Sequence, residues 1–247
     1  MKFEIYLPEN GLTESGIALS NMLKELDLGV SYADMMRLRV SGGVSNECCD
    51  RYYVAHENGI CYSRLWNGWG NHNFAIGNFG NFFTSEQIRG QGIGKRMLEI
   101  WYKDLTECSH KPLGIFCTSG ERAAKLYFPY GFRTIKENAE YGPLFLPIGD
   151  SPSNFRDFCE KYYEPSDTLI CRPATIEWRH EIDCLLKFAF FDIGLQFEIG
   201  KIPNLEYALL YYPNKAKVIF TESGKCVGWM IDNEVRLYPA YNFKNLI

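Results

Sequence analysis

The chain has few of the residues from which metal and disulfide frameworks are built. Its 247 residues include four histidines, His56, His72, His110 and His180, and no two are spaced as paired metal ligands are. His180-Glu181 opens like the zinc motif H-E-x-x-H, but the second His is missing. The nine cysteines form no C-x-x-C pair, and nine is an odd count. They read as reduced thiols of a cytoplasmic protein, because disulfide scaffolds are short and loop-rich. No metal site is therefore expected. There is no run of about 18 apolar residues, so no membrane span is expected. Met1–Glu9 has no apolar run behind a basic cluster and does not read as a signal peptide. Basic residues are not in excess, since 26 Lys and Arg face 30 Asp and Glu for a net charge of −4. That is the wrong sign for a nucleic-acid surface and is compatible with a cationic or amine partner.

Against these absences stand 17 Phe, 16 Tyr and 5 Trp within a 46% hydrophobic composition. Aromatic side chains bury large areas, so a substantial core is available. The length exceeds one average domain, and a full domain plus a smaller one is expected.

Ile17, Leu19, Met22, Leu23 and Leu26 recur at helical spacing over 13–27, with Thr13 or Ser15 as the cap. A second helical stretch, 31–40, carries Met35, Met36 and Leu38, and Gly42-Gly43 breaks it. Residues 51–57 read as a strand, Asn58-Gly59 as a two-residue hairpin turn, and Ile60–Trp66 as the returning strand. Residues 67–73 are polar and glycine-rich and read as a loop. Phe74–Thr84 reads as a further strand, bulged at Gly77 or Gly80. An amphipathic helix then runs to about Leu105, with Ile93, Met97, Ile100 or Trp101, and Leu105 on one face. A short buried strand (113–118), a helix (121–130) ended by Gly131, and strands at 132–135 and 144–147 complete a first domain, 1–148. Residues 149–165 read as a linker with a short helix, on which Phe155, Phe158 and Tyr162 are in phase. The remainder, 166–247, reads as strand (168–172), helix (175–190), helix (204–211), strand (218–221), a Ser223-Gly224 turn and strand (225–232). That order repeats the first half of the first domain and suggests a partial internal duplication.

Arg89-Gly90-Gln91-Gly92-Ile93-Gly94-Lys95 sits between the predicted strand and the predicted amphipathic helix. Glycines allow positive φ and a close backbone approach to a ligand. Consecutive N–H groups then converge at a helix N-terminus, where the dipole favours anions, so a diphosphate is the natural guest. Two other phosphate loops are excluded. A Walker A loop needs G-x-x-x-x-G-K-[ST], but Arg89 stands five before Gly94 and Arg96 follows Lys95. A dinucleotide fingerprint needs G-x-G-x-x-G, whereas Gly90, Gly92 and Gly94 run one residue short.

The segment Ile88–Leu98 resembles motif A, [Gln/Arg]-x-x-Gly-x-[Gly/Ala], of the GNAT (Gcn5-related N-acetyltransferase) superfamily. Downstream, Ala123-x-x-Leu126-Tyr127-x-x-x-Gly131-Phe132 resembles motif B of the same family, and the resemblance covers roughly residues 10–147. It implies an α/β (α+β) GNAT fold, with a mixed central sheet flanked by helices and a smaller C-terminal α/β unit like a partial GNAT half. It implies acetyl-CoA as cosubstrate, held at its pyrophosphate by the backbone of Arg89, Gly90, Gln91, Gly92, Ile93, Gly94 and Lys95. Phe82, Phe83 and Thr84, on a strand that splays from its neighbour, would pair with the pantetheine, and a backbone N–H there would polarise the thioester carbonyl. Ala123 and Tyr127 of motif B would also contact the coenzyme.

The implied reaction is direct attack of a neutral primary amine on the acetyl thioester. The amine, with a lysine-like pKa near 10.4, must lose a proton, and the leaving thiolate must gain one. The resemblance gives the second task to Tyr127, whose phenol is protonated at neutral pH. Two departures matter. Gly120 stands where many members carry a pantetheine-binding Asn, leaving that contact to Thr118, Ser119 or backbone. The strand Phe74–Thr84 has no carboxylate, so the candidate bases are Glu86, His72, Glu57 and His56, with a water chain as another route. Cys117, just before motif B, offers an acyl-cysteine route, though a buried Cys is more often a small core residue.

Thr168–Thr175 and Lys217–Trp229 resemble the opening strands of a GNAT domain, but no second Arg-x-x-Gly-x-Gly appears after them. The half-copy is therefore not expected to bind coenzyme A. Trp66, Trp69 and His72 are candidates to line the amine site. The expected partners are acetyl-CoA and an amine acceptor, with no nucleic acid and no membrane, in a monomer or homodimer. A non-catalytic acetyl-CoA-binding module and a protein or peptide N-acetyltransferase are the competing readings.

Overall fold

A computed structural model describes residues 1–25, 30–165, 168–189, 209–211, 216–231 and 234–241. They form mixed α/β structure in two compact units. The first comprises Met1–Asn71 and Asn78–Lys111, the second His72–Gly77 and Pro112–Ile247.

The first unit runs β1 (Lys2–Tyr6), α1 (Glu14–Glu25), α2 (Val30–Val40), β2 (Cys48–Glu57), β3 (Ile60–Gly70), β4 (Ile76–Thr84, whose first two residues group with the second unit) and α3 (Ile93–Glu107). The strand order is β1-β2-β3-β4. β1 is antiparallel to β2 with Tyr6 opposite Tyr52, and β2 is antiparallel to β3 with Tyr52 opposite Trp66. Asn58 and Gly59 both take positive φ, 52° and 77°, and this mirror-image turn matches the twist of the strands it joins. α1 packs on β3 and against α2, and their apolar stripes bury Leu19, Leu23, Met36 and Val40 with Tyr6, Tyr52, Val54 and Trp66.

Two sequence expectations need correction here. β1 was not expected: only Tyr6 in Lys2–Tyr6 is buried, so its alternation is faint. Residues 67–70 are not loop but the end of β3, and Trp66 and Trp69 are core residues, each 4% exposed. The glycine there serves packing, since a Cβ on Gly68 would stand 2.9 Å from Asp50 Oδ1. In β4 Asn81 takes positive φ, at 53°.

The second unit runs β5 (Gly114–Ser119), α4 (Glu121–Tyr127), β6 (Arg133–Thr134), β7 (Gly142–Pro147), α5 (Phe155–Tyr162), β8 (Leu169–Pro173), α6 (Arg179–Cys184) continuing as a π-turn to Ala189, β9 (Ala216–Thr221), β10 (Cys226–Ile231) and β11 (Glu234–Leu237). β5, β7 and β6 are adjacent in that order, and a separate sheet has the order β11-β10-β9-β8. Asn154 caps α5 by accepting from the N–H groups of Arg156 (2.8 Å) and Asp157 (3.3 Å). The buried face of α5 joins an aromatic cluster. Phe116 of β5 stacks on Phe145 of β7 at 5.1 Å, with Phe155, Phe158 and Phe188 within 6.0 Å of Phe116.

β8, a helical stretch, the β9–β10 hairpin and β11 repeat the element order of β1, α1, the β2–β3 hairpin and β4. Of the helix expected at 204–211, residues 204–208 lie outside the described residues, as do positions 26–27, 190 and 232 of other expected elements. Among the described residues, no helix is long and apolar enough to cross a membrane, and no cluster of three His, Cys, Asp or Glu side chains could hold a metal.

Candidate active site

The chain leaves β4 through the turn Glu86–Ile88 and enters α3 through the glycine loop. Gly90 and Gly92 both sit in the left-handed region, at φ 82° and 79°, where a side chain costs about 1–2 kcal/mol. Nothing lies within 4 Å of where their Cβ atoms would be. The backbone is thus open on that side. Gly92 is the N-cap of α3 and supplies no side-chain cap. The first N–H groups of any helix lack intrahelical partners, so those of α3 are donors without a built-in acceptor. The first turn of α3 carries no acid, and Lys95 and Arg96 are exposed there. Gln91 is exposed, while Ile93 and Gly94 are half-buried. Dipole, donors and charge therefore all favour an anion.

Local bonds hold the loop. Arg89 turns back, donating from Nε to Thr84 O (3.0 Å) and from its guanidinium to Glu86 Oε1 (2.8 Å). Ser63 Oγ donates to Phe83 O at 2.7 Å and lies 3.0 Å from Thr84 Oγ1. The carbonyls of Phe83 and Thr84 thus already accept one bond each. Phe82, Phe83 and Thr84 are all half-buried.

α3 is also anchored by polar side-chain bonds. Arg51 grips Asp104 with two parallel bonds, 2.8 and 2.7 Å, and Tyr53 Oη donates to the same carboxylate at 2.6 Å. Trp101 Nε1 donates to Asn67 Oδ1 at 2.8 Å, and Asn67 Nδ2 donates to Asn78 O at 2.9 Å. No local pattern marks these pairs, because Arg51 and Asp104 are 53 positions apart.

Motif B occupies the second unit. Thr118 is exposed on β5, and Ala123 is half-buried in the first turn of α4. Tyr127 is 6% exposed and packs on Phe132 at 5.7 Å. Burial, then the neighbouring Cys117, pushes its phenol above the ordinary value, so it keeps its proton at neutral pH. Burial also raises the Cys117 thiol. That suppresses the thiolate an acyl-cysteine route would need. Of the candidate bases, Glu86 is exposed and tied to Arg89, and Glu57 pairs with the Met1 amino group. His56 is fully buried 3.3 Å from Glu4, and His72 lies beside Glu181 in the second unit.

The glycine loop places the molecule in a class: α/β proteins in which a strand passes through left-handed glycines into a helix whose N-terminus has no side-chain cap. The particular assignment comes from comparison. Residues 49–134 match the family model of the acetyltransferase (GNAT) domain. No curated protein matches the chain. Among solved structures, it is similar to an acyl-CoA N-acyltransferase from Pseudomonas aeruginosa, at 14% identity and a TM-score of 0.44, over 59% of this chain and 98% of that one. It is also similar to the N-acetyltransferase PseH of Campylobacter jejuni, at 15% identity and a TM-score of 0.40, over 60% of this chain and 99% of that one.

Proposed function

We propose that the chain is an acetyl-CoA-dependent N-acetyltransferase acting on a primary amine of a small molecule. The observation that carries this reading is the entrance of α3, where two left-handed glycines open the backbone and the helix brings basic residues without acids. An anion held by main-chain amides fits such a cradle. Acetyl-CoA supplies the activated acetyl thioester. The backbone of Arg89 to Lys95 holds its diphosphate. Phe82, Phe83, Thr84, Thr118 and Ala123 contact the pantetheine, and Tyr127 carries the proton destined for the leaving sulfur. One observation favours a non-catalytic acetyl-CoA-binding module instead: β4, Ile76–Thr84, carries no acid to act as base.

Calorimetry with coenzyme A tests the reading. The wild type binds, and Gly92→Val, which forces a β-branched residue into left-handed backbone, weakens binding at least tenfold with an unchanged circular dichroism spectrum. Equal binding by both proteins, or no heat from the wild type, overturns it. Amine-dependent release of free thiol from acetyl-CoA then separates an enzyme from a binding module.

A further inference from the structure

Between β3 and β4 the segment His72–Gly77 belongs by its packing to the second unit. Two of its side chains meet one acid there. Glu181 of α6 is 1% exposed. Asn73 Nδ2 donates to Glu181 Oε1 at 2.9 Å, and also reaches Tyr162 Oη at 3.2 Å and Gly224 O at 3.1 Å. Asn73 Oδ1 accepts from the N–H of Ala75 at 3.0 Å, so one side chain both shapes the segment and ties it down. Ala75 O in turn accepts from the N–H groups of Leu113 (2.7 Å) and Gly114 (3.2 Å).

The other oxygen of Glu181 is the weak point. Oε2 is buried and has no hydrogen-bond partner. His72 Nε2 stands 3.1 Å away, within ion-pair range but without the alignment of a hydrogen bond. An unpaired buried charge is strongly destabilising. Oε2 therefore depends on the charge of the imidazole, and a neutral ring leaves it uncompensated. The ring lies against Trp178, with centroids 4.0 Å apart, and Trp178 stacks on Phe220 at 4.7 Å. The His72 side chain is 21% exposed, so it exchanges protons with solvent.

We infer that His72 and Glu181 form a pH-sensitive clasp, which docks the β3–β4 connection on α6 while the imidazole is charged and releases it when the imidazole is neutral. The clasp stands whether or not the chain transfers acetyl. The groups facing the imidazole are Glu181 and Glu177, whose Oε2 is 3.9 Å from Nδ1. Those facing Glu181 are His72, Asn73, Tyr162 of α5 and Cys226 of β10, and Lys225 Nζ lies 5.2 Å over the Tyr162 ring. Burial opposes the imidazolium, but the two carboxylates outweigh it, and the His72 pKa is raised above 6.5. Burial raises the Glu181 carboxyl as well, against the pull of His72 and Asn73. Both groups therefore hold protons more tightly when the segment is docked. Stability of this kind is full below the free-chain pKa and is lost as pH rises through the docked one. The clasp consequently opens on the alkaline side, from 6.5 upward through the raised His72 value.

The test is hydrogen exchange of the full chain from about pH 6 to about pH 9, corrected for intrinsic rates, together with NMR titration of His72. Protection of the Ala75 and Leu113 amides falls with pH, about tenfold for each pH unit by which the NMR pKa of His72 exceeds 6.5. The β1–β2 ladder keeps its protection. Glu181→Gln preserves the size of the side chain, removes the buried charge, lowers the His72 pKa and flattens the fall. His72→Gln loosens both amides at every pH, with no step. Glu177→Gln, at a position 34% exposed, only moves the step to lower pH. The inference is overturned if wild-type protection is level across the range, or if the step survives in Glu181→Gln. A parallel fall in the β1–β2 ladder marks global unfolding and overturns it too. Should Glu181→Gln or His72→Gln fail to fold, titration of the wild type decides, and a His72 pKa at or below 6.5 overturns the clasp.

Discussion

Two runs of four strands in this chain share one order. β1-β2-β3-β4 and β8-β9-β10-β11 each begin with a strand, insert helix, turn back through a hairpin and add a fourth strand. They differ in their continuation. After β4 comes Arg89–Lys95, with two left-handed glycines, and then the fifteen residues of α3. Beyond β11 the sequence holds no Arg-x-x-Gly-x-Gly run. On the proposed reading the strands alone are a scaffold, and the capacity to hold an anion would lie in the loop and the helix that presents it. The second run contributes something else, the Glu181 and Glu177 carboxylates beside His72.

The comparison breaks most visibly if the second run proves dispensable. A chain ending at 148 would lose Phe155, Phe158 and Phe188 from around Phe116 and Phe145. Deleting one buried Phe side chain costs about 3–5 kcal/mol, and total stabilities run about 5–15 kcal/mol. The expected outcome is no soluble, monodisperse 1–148 fragment on size exclusion. A fragment that stays soluble and binds coenzyme A like the full chain would show the second run to be an appendage.

A smaller effect sharpens the functional side. Tyr127→Phe keeps the packing on Phe132 and removes the hydroxyl proposed as the proton donor, so kcat should fall about 100-fold while KM for acetyl-CoA holds. An unchanged kcat in steady-state assays would leave Tyr127 as packing alone. The mildest change concerns α3, for which the second run has no counterpart among the described residues. Asp104→Asn leaves Arg51 without its counter-charge in a pair only 15% exposed on either side. The expected loss in urea unfolding is about 2 kcal/mol, the scale of hydrogen bonds to charged groups. No loss would mean that the clamp does not hold the helix.

The sequence shows some of this and conceals the rest for physical reasons. Asn58-Gly59, Gly90, Gly92 and Gly131 were readable because positive φ restricts the choice of residue, and their φ values lie between 52° and 99°. The apolar stripe of α3 was readable because Met97, Trp101 and Leu105 recur at helical period and are buried. The end of β3 misled because Asn67, Gly68 and Gly70 resemble loop residues. Asn67 is there for Trp101 and Gly68 for space beside Asp50, and these are tertiary reasons with no local period. The Glu181 cluster was hidden by distance, since Asn73 and Glu181 are 108 positions apart. His180-Glu181 drew attention as half a zinc motif, whereas the acid of that pair serves an imidazole from another segment.

Asn73 has two amide hydrogens for three acceptors, so at least one of its bonds is shared. Slow loss of ammonia from this one side chain would turn it into Asp with scarcely any change of shape. A second acid would then stand 2.9 Å from Glu181, where two negative charges cannot both persist. The aged protein would take up a proton that the fresh one does not, and its titration curve would record its history.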